Sequence, residues 1–323
     1  MPHAIRVHQV GGPDVLQWEE VEVGQPGPGE VKLRQDAVGL NFIDVYHRNG
    51  LYPQPLPFTP GTEGAGVIES VGPEIEGLKP GDRVGYAGPI GSYAEQRVIA
   101  ADRLVKLPDS ISTEQAAAIM LQGMTAEMLL RRVHQVKSGE TILVHAAAGG
   151  VGLIMCQWAA ALGATVIGTV GSDEKAELAR AHGCTHPIVY TRQDFAAEVD
   201  RITGGAKLPV VYDSVGPDTF LKSLDCLHPR GLMVSFGNAS GPPDPIAPGL
   251  LAQKGSLFLT RPTLFNYIAT REELEQSASA LFEMVDSGKV KVEIKQRFPL
   301  REAAEAHRAL EGRKTTGSTV LTV

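Results

Sequence analysis

The run His145-Ala-Ala-Ala-Gly-Gly-Val-Gly152 follows the apolar stretch Thr141-Ile-Leu-Val144 and opens a helix-forming stretch over residues 153–162. A strand, a glycine-rich turn and a helix in that order are the setting in which a dinucleotide fingerprint carries meaning. Gly149 lets the backbone approach a pyrophosphate, and Gly152 lets the helix pack closely on the strand. The N–H groups around Ala148, Gly149, Gly150 and Val151, with the positive end of the helix, then face the phosphates. Ala147 stands where the first glycine is usual, so the match is A-x-G-x-x-G. The flanking strand and helix raise it above an ordinary glycine-rich turn.

Outward from this turn, strands and helices alternate. Strands are expected at 141–147, 165–170, 187–190, 209–214, 232–236 and 256–260, with helices at 151–162, 173–181, 195–203 and 219–226. Alternation of this length argues for right-handed β-α-β units and a doubly wound parallel sheet. The nearly continuous apolar run Val210-Val-Tyr212 suits a strand covered on both faces. Ser112 and Gln115 form a capping box before an alanine-rich helix.

Twelve of the 22 prolines lie before residue 109, and none between 109 and 186. Turn signals such as Gly24-Gln-Pro-Gly-Pro-Gly29 and Lys79-Pro-Gly-Asp82 separate short β-branched runs at 30–33, 66–71 and 83–86. This reads as a compact β-rich domain. After Thr260 the alternation stops. Thr270-Arg-Glu-Glu273 caps a helix ending near Gly288, followed by strand-like 290–294, a helix over 301–310 and a terminal strand over 318–323. The simplest path for this tail is back to the first domain.

With 323 residues and 43% hydrophobic composition, the chain has the material for two cores. Its net charge of −7 argues against nucleic acid as a partner, since phosphate-backbone binding needs concentrated Lys and Arg. No apolar run approaches the roughly 20 residues that span a bilayer, so no membrane partner is expected. Three scattered cysteines suit a reducing, cytoplasmic setting better than a disulfide framework.

The second strand ends Thr169-Val-Gly171-Ser172, with no carboxylate to receive the ribose hydroxyls of NAD. Ser172 is placed as the N-cap of the next helix, and Lys175 falls in its first turn. A hydroxyl, free helix N–H groups and an ammonium suit a 2′-phosphate, so NADPH is the expected cofactor. Tyr190, ending the third strand, is placed to stack on adenine. Ser214 and Phe236-Gly237-Asn238 lie at the carboxyl ends of later strands, where open α/β sheets bind ligands.

Val38-Gly-Leu-Asn-Phe-Ile-Asp44, Pro60-Gly-Thr-Glu-Gly-Ala-Gly66, Gly81-Asp-Arg-Val84 and Ala148-Gly-Gly-Val-Gly152, in this order, resemble the medium-chain dehydrogenase/reductases. Asn41-Phe-Ile-Asp-Val-Tyr46, Tyr212-Asp-Ser-Val-Gly216 and Arg230-Gly-Leu-Met-Val-Ser-Phe-Gly237 are most similar to the zeta-crystallin-like NADPH:quinone oxidoreductases. The resemblance implies a GroES-like substrate domain over residues 1–122, a Rossmann domain over 123–262, a segment over 263–323 returning to the first, and a cleft between the domains. It implies that Asn41, Asp44, Tyr46 and Tyr52 line the nicotinamide–substrate site. Tyr46 would contact cofactor, while Asn41 and Tyr52 would hydrogen-bond the acceptor oxygen. Thr125 would meet the nicotinamide amide, and Phe265, Tyr267 and Arg313 would cover the cofactor.

Zinc-dependent members of that superfamily place a cysteine ligand where this chain has Asn41 and a histidine where it has Thr62. An amide and a hydroxyl are poor zinc donors, Glu63 alone is not a site, and no cysteine precedes Cys156 to build a structural zinc lobe. A metal-free enzyme is expected. Without a Lewis acid, an acceptor that is already electrophilic, a quinone or an enone, needs less activation than an alcohol. The leading expectation is NADPH-dependent quinone reduction. The alternatives are reduction of enones or enoyl thioesters, and a non-enzymatic NADPH-binding protein with a structural or RNA-binding role. The apolar run Ser256-Leu-Phe-Leu-Thr260, as the last strand of the sheet, also predicts a homodimer closed edge to edge through Leu257 and Leu259, a state the resemblance implies too.

Overall fold

In the computed structural model, which describes residues 1–323, six strands paired in parallel form the sheet around the glycine turn. Across the sheet they run His186–Val189, Thr165–Val170, Thr141–Val144, Leu208–Asp213, Leu227–Ser235 and Phe258–Thr260. That is third, second, first, fourth, fifth and sixth in chain order. The order reverses between Thr141–Val144 and Leu208–Asp213, the switch point at which doubly wound sheets bind ligands.

Two of its helices begin and end where their caps say they should. Ser172 Oγ accepts the Lys175 N–H at 3.3 Å and starts Asp173–Ala181. Asp194 accepts the Ala196 N–H at 3.0 Å and starts Phe195–Thr203, which stops at Gly204 in the left-handed conformation. The strands and these helices enclose a core that includes Leu143, Ile167, Val211 and Met233 with Phe195 and Phe220. Burying each such side chain contributes about 1.5–3 kcal/mol.

The first strand ends at Val144 rather than at 147, because Ala146 takes φ 53° and turns the backbone out of the sheet. The turn then closes on itself, with the Gly149 N–H donating to the Ala146 carbonyl at 2.9 Å. A Cβ at Gly152 would lie 2.3 Å from that carbonyl oxygen and 2.8 Å from Ala147 Cα, so only glycine fits. Ala147 itself is accommodated from the neighbouring strand. A Cβ at Gly168 would come within 2.6 Å of the Ala147 methyl.

The chain divides into two units, one of Met1–Met124, Ile268–Asp286 and Val292–Val323, the other of Thr125–Tyr267 and Ser287–Lys291. The boundaries therefore fall at 124/125 and 267/268 instead of 122/123 and 262/263, and Ser287–Lys291 stay with the second unit. Their backbone shows why. The Lys291 N–H donates to Gln157 Oε1 at 2.8 Å, and its carbonyl accepts from Gln157 Nε2 at 3.2 Å. The same pairing removes the strand expected at 290–294. A strand starts only at Ile294, and Ile294–Pro299 pairs in parallel with Ser318–Thr322.

In the first unit, the long strand Glu30–Gly39 pairs antiparallel with Glu63–Val71, Gln96–Ala100 and Ser318–Thr322. The short runs expected at 30–33, 66–71 and 83–86 are parts of Glu30–Gly39, Glu63–Val71 and Arg83–Ala87. The expected capping boxes are present: Ser112 with Gln115 before the helix Thr113–Met128, and Thr270 with Glu273 before Arg271–Asp286. No helix is long and apolar enough to cross a membrane. Cys156, Cys184 and Cys226 are buried free thiols.

Candidate active site

In the second unit, the glycine turn delivers Ala148, Gly149, Gly150 and Val151 to the start of the helix Gly150–Ala161, whose N-cap is Gly149. Beside it, at the ends of Thr165–Val170 and His186–Val189, Gly171, Ser172, Lys175 and Tyr190 come together. A Cβ on Gly171 would lie 3.3 Å from Tyr190 Oη, so this glycine leaves the tyrosine its place. Asp173 next to Ser172 is neutralised by Arg192, which pairs with it at 2.5 Å on the exposed rim. At the other side of the switch point, Asp213 accepts the N–H groups of Val215 at 2.7 Å and Gly216 at 3.2 Å. The Ala239 N–H donates to the Ser214 carbonyl at 3.0 Å, and a Cβ at Gly237 would sit 2.5 Å from the same oxygen. Ser214, Phe236, Gly237 and Asn238 are thus one tied cluster. Phe265 and Tyr267 lie on the short helix Leu264–Tyr267, and the Tyr267 carbonyl accepts from Arg132 Nη1 at 2.9 Å.

In the first unit, the helix Phe42–Asn49 carries the expected cluster. The Asp44 carboxylate receives the Asn41 N–H at 2.9 Å, Tyr93 Oη at 3.1 Å and Thr62 Oγ1 at 3.2 Å. Asn41 spends its side chain elsewhere: Nδ2 donates to Glu63 Oε2 at 2.7 Å and Oδ1 accepts from Gln122 Nε2 at 3.1 Å. Tyr46 and Tyr52 stand edge to face with ring centroids 5.2 Å apart. Burial pushes the Asp44 carboxyl up to about 7 and that of Glu63 up to about 8, the charge of Asp44 adding to the latter. Thr125, on the helix Thr113–Met128, is buried in the second unit, whereas Arg313 lies in the first, at the turn after Ala303–Glu311.

Behind Asp44 runs a chain of polar side chains that no sequence spacing announces. Arg48, 2% exposed, holds Glu311 through two bonds of 2.8 Å and reaches His307 Nδ1 at 3.2 Å. His307 Nε2 lies 3.1 Å from Tyr93 Oη. Arginine only donates, so His307 Nδ1 accepts, Nε2 carries the proton, and the Tyr93 hydroxyl hydrogen goes to Asp44. Burial, then the Arg48 charge, lowers the His307 ring to about 3 and keeps it neutral.

Asn41 and Thr62, the positions at which zinc enzymes of the resembled superfamily place ligands, are engaged with protein partners here. No group of three or more His, Cys, Asp or Glu side chains stands close enough to share an ion. The residues do not fit a catalytic zinc.

The sequence model of the alcohol dehydrogenase GroES-like domain matches residues 27–109, and that of the zinc-binding dehydrogenases matches residues 150–283. The chain is 55% identical over 323 residues to a quinone oxidoreductase of Pseudomonas aeruginosa, covering 99% of both chains. The chain belongs to the quinone oxidoreductases of the medium-chain dehydrogenase/reductase superfamily. It superposes on the crystal structure of the Escherichia coli quinone oxidoreductase complexed with NADPH with a TM-score of 0.98, at 49% identity and covering 99% and 100% of the two chains. A 2-haloacrylate reductase of Burkholderia is 49% identical over 330 residues, with 99% of both chains covered. The α/β architecture expected from the glycine turn, a GroES-like domain with a Rossmann-type parallel sheet, is that of this quinone oxidoreductase family. Glu63, Gln122, Ser318, Tyr93, His307 and Arg48 join the cluster around Asn41 and Asp44 without being indicated by sequence spacing. Only Arg48 and His307 carried a signal, as ionisable residues among the buried positions of the helices Phe42–Asn49 and Ala303–Glu311.

Proposed function

We propose that this chain is an NADPH-dependent quinone oxidoreductase that reduces its acceptor without metal. The observation carrying this reading is the Asn41 side chain, an amide held by Glu63 and Gln122 at the position where zinc-dependent members of the superfamily place a ligand. It offers a hydrogen-bond donor in place of a Lewis acid, which suits an acceptor that is already electrophilic. NADPH, when bound, supplies a hydride. Ala148, Gly149, Gly150 and Val151 hold its pyrophosphate at the helix start. Gly171, Ser172 and Lys175 hold the 2′-phosphate, and Tyr190 stacks on the adenine. Ser214 and Phe236–Asn238 meet the ribose and amide groups, with Thr125 at the nicotinamide, and Phe265, Tyr267 and Arg313 cover the cofactor. Asn41, Tyr46 and Tyr52 surround the acceptor, and Asn41 and Tyr52 donate to the oxygen on which negative charge develops. The 49% identity to a 2-haloacrylate reductase favours a second reading, reduction of an activated C=C bond in the same site.

Turnover separates these readings. With NADPH the protein should reduce quinones faster than 2-haloacrylates or enones, with NADH much more slowly, and at a rate unchanged by chelators. Lys175→Ala should weaken NADPH by about 1–3 kcal/mol, the worth of a charge-assisted contact, and leave NADH nearly unaffected. Equal loss for both cofactors would remove the 2′-phosphate assignment, and absence of quinone turnover would remove the function.

The same reading extends to assembly as a homodimer. The outer edge of Phe258–Thr260 pairs with no strand, and Phe258 and Leu259 are 61% and 39% exposed. Leu257, expected at that edge, is instead buried in the sheet core, so a lysine there tests folding rather than association. Pairing of two copies about a two-fold axis covers the strand. Phe258→Lys with Leu259→Lys should convert a dimer into a monomer with little loss of fold. A 34.4 kDa particle in light scattering of the unmodified protein at micromolar concentration contradicts the dimer. The buried free thiols accord with a reducing compartment, the cytoplasm.

A further inference from the structure

We propose that Glu63 is the positioning residue that decides which end of the Asn41 amide faces the acceptor, an inference resting on the reading of Asn41 as a donor to the acceptor oxygen. An amide has a donor end and an acceptor end of nearly equal shape, and only its partners choose between them. Here the choice is made at a backbone group. The Leu121 N–H can only donate, and it donates to Glu63 Oε1 at 2.7 Å. Glu63 Oε2 takes Asn41 Nδ2 at 2.7 Å, which leaves Asn41 Oδ1 to accept from Gln122 Nε2 at 3.1 Å. Gln122 Oε1 then faces Ser318 Oγ at 2.8 Å, whose single proton is shared with the Ala118 carbonyl at the same distance. With Glu63 ionised, one Nδ2 hydrogen of Asn41 is thereby committed to it. The other remains for a hydrogen bond to the oxygen that gains charge as hydride reaches the acceptor. Below the value of about 8 to which burial raises Glu63, its protonated Oε2 donates to Asn41 and turns the amide over.

The carboxylate is built in rather than incidental. Glu63 is fully buried, and a Cβ at Gly39 would come within 2.2 Å of its Oε2, so the strand Glu30–Gly39 ends in glycine where the carboxylate must pass.

Replacing Glu63 by glutamine leaves shape and hydrogen-bond count intact and reverses the chain. The Leu121 N–H still requires an oxygen, so the new NH2 points at Asn41. The Asn41 amide turns over to offer Oδ1, Gln122 turns over after it, and Ser318 accepts from Gln122 while giving its proton to Ala118. Every member keeps a partner, but the Asn41 edge that carried the free N–H now carries a lone pair. The variant therefore folds, and loses the donor.

The test compares Glu63→Gln, Glu63→Gln with Gln122→Glu, and Asn41→Ala with the unmodified protein by steady-state quinone reduction, NADPH titration and melting temperature at about pH 9, where Glu63, raised to about 8, is ionised. In the double variant the carboxylate sits on the other side of Asn41 and holds the amide reversed. The expected result is an unchanged NADPH dissociation constant and melting temperature in Glu63→Gln, with kcat about 100-fold lower, the scale for one lost donor to a developing oxyanion. The double variant should stay equally slow. Recovery of turnover in the double variant would show that Glu63 only fills buried hydrogen bonds, and the inference would fall. Loss of turnover in Asn41→Ala alongside wild-type turnover in Glu63→Gln or the double variant overturns the inference alone. Wild-type turnover in Asn41→Ala removes the reading of Asn41 and the inference with it.

Discussion

Glu311→Ala should destabilise the protein by about 3 kcal/mol. Arg48 is almost wholly buried and has one carboxylate partner, so removing that partner strands a positive charge where water does not reach. His307 cannot substitute, since it is held neutral and is already an acceptor. The loss is set at the lower end of the range for broken buried pairs, because Glu311 keeps 34% of its side chain exposed. For a unit of this size it corresponds to a fall in melting temperature of about 6–12 °C. Arg48→Met combined with Glu311→Leu deletes both charges and should cost less than Glu311→Ala alone. A calorimetric scan placing Glu311→Ala within a degree or so of the unmodified protein would refute this account of Arg48.

Gly152→Val should remove cofactor binding and destabilise the second unit together. The first added carbon falls 2.3 Å from the Ala146 carbonyl oxygen and 2.8 Å from Ala147 Cα, and neither obstacle is a side chain that can swing aside. The helix Gly150–Ala161 must move off the turn. Overpacking of this kind costs about 3 kcal/mol, and a β-branched side chain in the first helical turn adds to it. Displacing the N–H groups proposed to hold the pyrophosphate should weaken NADPH by roughly 10- to 100-fold, the loss of about 1.5–3 kcal/mol in hydrogen bonds to a charged group. Fluorescence titration with NADPH measures it directly. Unimpaired binding by a folded Gly152→Val protein would mean that the turn does not hold the pyrophosphate.

Local signals made much of the second unit legible. The helices Asp173–Ala181 and Phe195–Thr203 match expectation to the residue because each start is fixed by a side chain adjacent in sequence. Where the local signal was silent, boundaries slipped. Ala146 takes a left-handed conformation without being glycine or asparagine, so the first strand stops three residues before its expected end. The tail strand starts later than expected because residues 290–294, though strand-like in composition, include Lys291, whose backbone pairs with a glutamine side chain far away in the chain. Asn41 and Asp44 were visible only through a family motif. Glu63, Gln122 and Ser318 were not, since 196 residues separate the last two and no periodicity marks such a meeting. Arg48 and His307, 259 residues apart, are a still longer case.

The alanine at position 147 has a bearing on how such turns arise. Its methyl occupies space that Gly168 leaves empty on the adjacent strand, 21 residues downstream, so the glycine missing from the turn has in effect been moved one strand sideways. The space beneath the glycine turn is therefore bounded by two strands, and the residue on one depends on the residue on the other. The two positions are nevertheless not interchangeable: a Cβ at Gly168 would also lie 2.6 Å from the buried Cys184 Sγ, so Ala147→Gly with Gly168→Ala fits only if Cys184 gives way too. A motif written along one strand is blind to this dependence, which runs across three segments of the chain: the turn, the adjacent strand and Cys184.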